Sequence, residues 1–205
     1  ITSICIQRHV KDIIVWKAES NGVYSTKSAY SLMLKSNDSG SQAGISKLIW
    51  NLNIPPRAAI FMWRLLKDRL PTKRNLLRRN VDIQDAVCPL CGQGQEDVGH
   101  LFFNCERTTK LWWESMGWIK AVGPLSASPL NHFAQFCDGF GANINQSRWR
   151  AWWVALTSTI WQHRNLLIFQ EKPFDPYKVM DEALYLLWSW LKSKEKGFDI
   201  SFNHW

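Results

Sequence analysis

Apolar and polar positions change period several times along the chain, and each change marks a predicted element. Ile13-Ile14-Val15-Trp16-Lys17 and Val23-Tyr24-Ser25 alternate on either side of Glu19-Ser20-Asn21-Gly22. An Asn-Gly turn between alternating segments predicts an N-terminal β-hairpin. Thr26 or Ser25 then caps a helix through Ala29, Tyr30, Leu32, Met33 and Leu34. Ser36 to Ser46 has almost no apolar residue and reads as a mobile loop. Lys47–Trp50 predicts a short helix ending before Pro55-Pro56, with Pro56 placed to start the next. That helix, to about Leu70, spreads Ala59, Ile60, Met62, Trp63, Leu66 and Leu70 over a wide apolar arc, so it should be mostly buried, with Arg57, Arg64 and Lys67 outward. After Pro71, Thr72 is placed to cap Lys73 to Arg79.

Helical spacing returns in Glu106 to Trp118, through Leu111, Trp112, Trp113 and Met116. A Gly/Pro/Ser-rich stretch, Gly117 to Pro129, predicts a subdomain boundary. It divides the chain into 1–118, a β-hairpin with a helical domain whose C-x2-C-x8-H-x4-C spacing at Cys88, Cys91, His100 and Cys105 reads as zinc-binding, and 119–205, a Trp-rich helical subdomain. Pro129 to Phe140 reads as helix, Gly139 to Gln146 as a break and Ser147 as the next cap. Two long helices follow. The first, about Arg148 to Phe169, lines up Trp149, Trp152, Trp153, Leu156, Ile160, His163 and Leu167. In that seam His163 reads as a core histidine rather than a ligand. The second starts with Asp175 as cap, Pro176 at the first helical position and Phe174 able to staple against Val179. It runs through Met180, Ala183, Leu184, Leu187, Trp188 and Leu191 to Lys192, Lys194 and Lys196, cations that suit a helix C-terminus. The pair should form an antiparallel helical hairpin. The predicted fold class is mainly α, with an N-terminal β-hairpin and a Cys3His zinc knuckle embedded between helices.

That knuckle is the strongest chemical signal. Cys88, Cys91, His100 and Cys105 are spaced C-x2-C-x8-H-x4-C. Two thiolates two residues apart bend around one ion, Gly92 supplies the backbone freedom that lets amide groups point at the sulfurs, and a histidine and third cysteine complete a tetrahedron. Soft and borderline donors without a carboxylate favour zinc over magnesium, calcium or manganese. The alternative is a set of reduced, buried cysteines at chance spacing. A disulfide scheme is disfavoured, because the chain has five cysteines and Cys5 and Cys137 lie far from the motif. Four protein ligands leave no position for water, so one structural zinc ion is expected and no catalytic metal.

Composition sharpens the picture in three ways. With 205 residues and 46% apolar content, the chain can bury a core. Thirteen tryptophans must pack inside or serve as contact surfaces. There is no 18-residue apolar run and no cleavable leader, which predicts neither membrane span nor secretion, and zinc-type cysteine usage suits a reducing compartment, nucleus or cytoplasm. The first residue is Ile1 rather than Met, as in a piece cut from a longer chain. The net charge of +8 is concentrated: between Pro55 and Asn80, Arg57, Arg64, Lys67, Arg69, Lys73, Arg74, Arg78 and Arg79 face a single Asp68. Such a cluster is either a solvated helix face or the footprint of a polyanion binder, and its position before the knuckle favours the second.

Val23-Tyr-Ser-Thr-Lys-Ser-Ala-Tyr30, Ile49-Trp50, the run Ile54 to Leu65, Leu70-Pro-Thr72, the Cys88–Gly92 knuckle and His100 to Cys105 occur in one fixed order. Together, over roughly residues 23 to 113, they resemble the zinc-binding domain of plant non-LTR retroelement reverse transcriptases. The resemblance carries the ligands onto Cys88, Cys91, His100 and Cys105. Ile160-Trp161 and Arg164-Asn165 resemble the tail that often follows the domain. In that family the domain lies downstream of the polymerase and often upstream of a ribonuclease H domain. Neither activity carries over: no catalytic Asp-Asp pair is present, and the segment after Cys105 is helical and tryptophan-rich.

The expected function is a noncatalytic, zinc-stabilised module that binds RNA or DNA through Arg64, Lys67, Lys73, Arg74, Arg78 and Arg79, with exposed aromatics available to stack bases. The alternative is a protein interaction module, taken over from a retroelement tail, that uses exposed tryptophans as anchors. A zinc hydrolase is a third and weaker reading. No Ser/His/Asp or Cys/His constellation and no Gly-rich phosphate loop points to an enzyme or a small-molecule substrate.

Overall fold

The computed structural model describes residues 15–29, 44, 47–140 and 146–204. The chain's contacts divide it into two units, Ile1–Lys47 and Leu48–Trp205. Within the second unit Trp152 Nε1 donates to Ser115 Oγ at 3.2 Å and Arg107 to the Phe174 carbonyl at 3.3 Å.

In the first unit the expected hairpin is not formed among the described residues, which contain no strand. The Asn21-Gly22 turn is present: Trp16 N–H donates to the Gly22 carbonyl at 2.8 Å, and Gly22 takes φ +71°. Among the described residues that is the one backbone bond from Trp16 across the turn. Val15, Val23 and Tyr24 are all exposed, so a ribbon here has no apolar face to bury, and an isolated two-stranded ribbon is marginal in water. The indole of Trp16 turns instead to Ser28, donating to its Oγ at 2.9 Å, and meets Tyr24 edge-on. Ser25, not Thr26, caps the helical turn at 26–29, accepting from Ser28 N–H at 3.1 Å. Ile13, Ile14, the part of the expected helix from Tyr30 onward, and the Ser36–Ser46 stretch apart from Gly44 lie outside the described residues.

The second unit is helical: α1 Pro56–Leu66, α2 Lys73–Leu77, α3 Glu106–Trp118, α4 Pro129–Ala134, α5 Gln146–Gln170 and α6 Pro176–Lys194, with π-turns at His100–Asn104 and Gln135–Phe140. Helix α1 has Pro at its start, where the missing N–H costs nothing. It ends four residues before the expected Leu70, because Asp68 takes the left-handed conformation at φ +50°. Its buried side is Ala58, Ala59, Met62 and Leu65. Ile60 and Trp63, placed on the buried arc by their spacing, are 49% and 37% exposed. For α2 the cap is as expected, with Thr72 accepting from Asn75 N–H.

Helix α5 sits at the centre. From Ala151 to Thr157 every residue is buried, which is why its pattern shows little amphipathicity. The hydroxyls of Thr157 and Thr159 are satisfied by carbonyls one turn back. It begins at Gln146, so Ser147 lies within the first turn rather than capping it. Helices α5 and α6 pack along each other, and the pairs His163–Glu182 and Arg148–Glu195 fix an antiparallel register. At the start of α6, Asp175 caps the Tyr177 and Lys178 amides. His163 is a core histidine: 4% exposed, its Nε2 lies 2.8 Å from Glu182 Oε2.

Four buried indoles find an acceptor: Trp112 on the Phe102 carbonyl, Trp149 on the Phe136 carbonyl, Trp152 on Ser115 Oγ and Trp153 on His132 Nδ1. That answers the question the tryptophan count poses, since a buried N–H without a partner would forfeit much of the packing gain. Among the described residues no helix is long and apolar enough to cross a membrane.

Candidate metal centre

The first ligand pair is held by a short backbone clasp. Val87 and Gln95 form an antiparallel bridge, Cys88 N–H donates to the Gly94 carbonyl at 3.0 Å, and Glu96 N–H to the Ala86 carbonyl at 2.7 Å. Inside the clasp, Gly92 N–H donates to the Cys88 carbonyl at 2.9 Å, closing the knuckle turn. Gly92 and Gly94 take φ +69° and +66°, where a side chain would strain the backbone. At Gly94 there is a second reason: a Cβ would lie 3.3 Å from His100 Cε1.

The second pair comes from the π-turn His100–Asn104. Cys105 N–H donates to the His100 carbonyl at 2.7 Å, an i to i+5 bond. The widened turn brings residues five apart nearly above one another, so His100 and Cys105 face one point, which an ordinary α-turn would not achieve. The intervening Leu101, Phe102 and Phe103 are buried and anchor the turn. Its freed carbonyls are taken by side chains of α3: Thr108 on Leu101, Thr109 on Phe103 and Trp112 on Phe102. Asp97 Oδ1 accepts the His100 N–H at 2.8 Å.

The ligand atoms of Cys88, Cys91, His100 and Cys105 all lie within 4.8 Å of one another. Cys88 Sγ is 4.0 Å from Cys105 Sγ, and Cys91 Sγ is 3.3 Å from His100 Nε2. A tetrahedral zinc, with Zn–S of about 2.3 Å and Zn–N of about 2.0 Å, has edges of about 3.8 Å between sulfurs and about 3.6 Å from sulfur to nitrogen. The two distances bracket those edges, so the cluster fits one zinc ion held by Cys3His. The thiol of Cys88 hydrogen-bonds to Cys105 and is buried, which together push its pKa far above the usual thiol range. The bond it receives from Cys88 lowers the pKa of Cys105 against its burial.

Residues 24–112 match the family described as zinc-binding in reverse transcriptase. The four ligands lie inside that span, and the resemblance drawn from the motifs is borne out there. A relative from Arabidopsis thaliana, named as a candidate ribonuclease H protein, is 24% identical over 103 residues, which is 50% of this chain and 16% of that protein. The chain thus matches about a sixth of the relative's length. No solved structure matches the chain.

The cationic residues expected at a polyanion surface divide into two groups. Lys73 Nζ pairs with Asp85 at 2.5 Å, and Arg74 NH1 with Asp97 at 2.7 Å, so both tie α2 to the metal segment. The others lie at the far ends of α1 and α2: Arg64 is exposed on the last turn of α1, Lys67 caps it, and Arg78 and Arg79 are exposed after α2. Sequence reasoning missed Glu96. It lies between the ligand pairs, is fully buried, and receives Arg164 of α5 on both oxygens. Nothing in the polar run Gln93 to Asp97 singles it out; only the Trp161-x-x-Arg164 motif pointed at its partner.

Proposed function

We propose that the chain is a noncatalytic, zinc-stabilised module that holds an RNA or DNA strand by its phosphates, using Arg64, Lys67, Lys73, Arg74, Arg78 and Arg79, in template handling by a retroelement reverse transcriptase. The observation that carries this reading is the basic cluster on α1 and α2, directly before a metal segment to which Lys73 and Arg74 are tied. The zinc ion is structural: four protein donors complete its tetrahedron, so it offers no open position to a substrate. Its place is inside the cell, in the nucleus or cytoplasm.

Titration of the zinc-loaded chain with short single-stranded and duplex oligonucleotides at two salt concentrations tests this. Binding whose log K falls with log salt by about 0.7–0.9 per phosphate contact is expected. Absence of binding at low salt would remove the reading. A second reading, a protein interaction module, is favoured by one observation: Trp50, Ile60 and Trp63 are exposed, and isolated exposed indoles are frequent interface anchors. Trp50→Ala/Trp63→Ala leaving oligonucleotide affinity intact while abolishing capture of a defined protein partner would support it.

A further inference from the structure

Four of the cations share one pocket. A polar cavity of about 430 Å3 is lined by Lys67, Asp68, Arg69, Asn75, Arg78 and Arg79, where the chain leaves α1, reverses through Asp68 and returns along α2. Asn75, 3% exposed, forms its floor, its amide donating to the carbonyls of Asp68 and Leu70 at 3.0 and 3.1 Å and to Asp68 Oδ1 at 2.7 Å. Two guanidinium groups are aimed by the wall itself. Arg78 NH1 donates to Asp68 Oδ2 and Asn75 Oδ1, both at 3.1 Å, and Arg79 NH2 to the Arg69 carbonyl at 3.2 Å. A guanidinium carries five donors, and these bonds engage one nitrogen of each fork. The single carboxylate, Asp68, has one oxygen on Asn75 and the other on Arg78, so its charge is bound into the wall. Four cations around one engaged carboxylate, with planar forks already oriented, suit a tetrahedral oxyanion.

We propose that this pocket is a phosphate-binding site that takes an internal phosphodiester of a nucleic-acid strand, with Arg69, outside the six residues named above, as one of its donors. The proposal rests on the nucleic-acid reading and deepens it. The shared chemistry, a phosphate oxyanion, is also offered by free phosphate and by a strand's terminal phosphate, and the experiment separates these sources.

The zinc-loaded full chain is titrated by fluorescence anisotropy with twelve-nucleotide single strands, with and without a 5′-phosphate, and with inorganic phosphate as competitor. Arg69→Gln/Arg79→Gln is compared with Lys110→Gln/Lys120→Gln, which removes the same charge from α3 and the turn after it. The pocket pair should lower affinity about tenfold and flatten the salt slope by about 1–2 units, whereas the α3 pair should change affinity no more than about twofold. Arg69→Lys/Arg79→Lys keeps charge without the fork, and should restore the slope but not the full affinity; it also decides the matter if the glutamine pair fails to retain zinc. Equal losses from both glutamine pairs would overturn the pocket in favour of a diffuse field. Binding that requires the 5′-phosphate, or that low millimolar inorganic phosphate abolishes, would overturn the internal phosphodiester. A parent chain that binds no strand would remove the nucleic-acid reading and this pocket with it, while a parent that binds and a pocket pair that binds equally well would remove the pocket alone.

Discussion

Glu96 and Arg164 form a buried two-point ion pair: Arg164 Nε lies 2.8 Å from Oε1 and its NH2 2.9 Å from Oε2, with side chains 0% and 5% exposed. The Arg164 guanidinium also lies over the Trp161 ring at 4.7 Å. One member sits between the metal ligand pairs and the other on the central helix, so the pair fixes the metal segment to the core of the second unit. Removing one partner strands a charge, at a cost of about 3–5 kcal/mol, whereas replacing both by apolar groups can be neutral. Glu96→Leu and Arg164→Met should therefore each lower the denaturant midpoint strongly, and the double replacement should recover much of the loss. Additive losses in the double would show that the two do not act as a pair. Arg164→Lys should resemble Arg164→Met more than the parent, because an ammonium cannot bridge both oxygens.

Zinc removal should loosen a defined part of the chain. Cys88 to Cys105 has few apolar anchors outside the π-turn, while the α5/α6 core is held by buried aromatic side chains. Purified chain should carry one zinc ion. Chelation, or Cys105→Ser, should raise hydrogen exchange across 86–118 and leave 150–165 much less changed. Uniform loss of protection would make the metal a global rather than a local clamp, and unchanged protection would remove its structural role.

Much of this was legible in the sequence, for identifiable reasons. Fixed spacing picked out the four side chains that cluster, since a knuckle is local geometry written in nearby residues. Asp175-Pro176 and Pro55-Pro56 placed two helix starts because cap chemistry is equally local. The hairpin failed because Asn21-Gly22 specifies a turn, not the partner face that would make two strands worth burying. Trp63 and Ile60 were misplaced because an arc of apolar residues does not say how much of it a neighbour covers. Glu96 could not be found at all: its burial depends on Arg164, 68 residues away.

Acid should weaken the fold through His132. Its ring is fully buried, stacked on Phe103 at 4.1 Å and edge-on to Trp112 at 4.5 Å, and its Nδ1 accepts the Trp153 indole N–H at 3.0 Å, which leaves the proton on Nε2. Burial drives its pKa down to about 3 from an ordinary value near 6.5. Between those values the unfolded chain binds a proton that the folded chain refuses, so stability falls as pH drops from about 6.5 toward 3 and is unaffected above. The slope is about 1.4 kcal/mol per pH unit, or about 2 kcal/mol lost by pH 5. His132→Phe should flatten stability against pH by one proton relative to the parent, although it costs Trp153 its acceptor. Equal slopes for the two proteins would show that His132 does not titrate this way.

Gly94→Ala should weaken zinc binding without altering the helices. The added methyl would meet the His100 ring at 3.3 Å, on a backbone already at φ +66°. Either the ring moves off the ion or the clasp opens, and both cost affinity. Gly92→Ala, with nothing within 4 Å of its Cβ but a φ of +69°, isolates the backbone contribution. Chelator competition should place Gly94→Ala below Gly92→Ala; the reverse order would show that contact with His100 is unimportant.

Asp97 holds the histidine ligand from behind, and its two oxygens have separable duties. Oδ1 accepts the His100 N–H at 2.8 Å and Oδ2 receives Arg74 NH1 at 2.7 Å. The Arg74 pair is exposed, so by itself it is worth about 0–1 kcal/mol. The bond to the His100 backbone N–H instead orients the turn that carries a ligand. Asp97→Asn keeps an acceptor for His100 and gives up the ion pair, so zinc affinity should fall only slightly. Asp97→Ala loses both contacts and should release zinc to a chelator at least about tenfold faster. Arg74→Gln should match Asp97→Asn, because the two interrupt the same contact from opposite sides. If Arg74→Gln released zinc as fast as Asp97→Ala, the ion pair rather than the amide bond would be what keeps His100 on the metal, and α2 would belong to the metal centre as a full structural member.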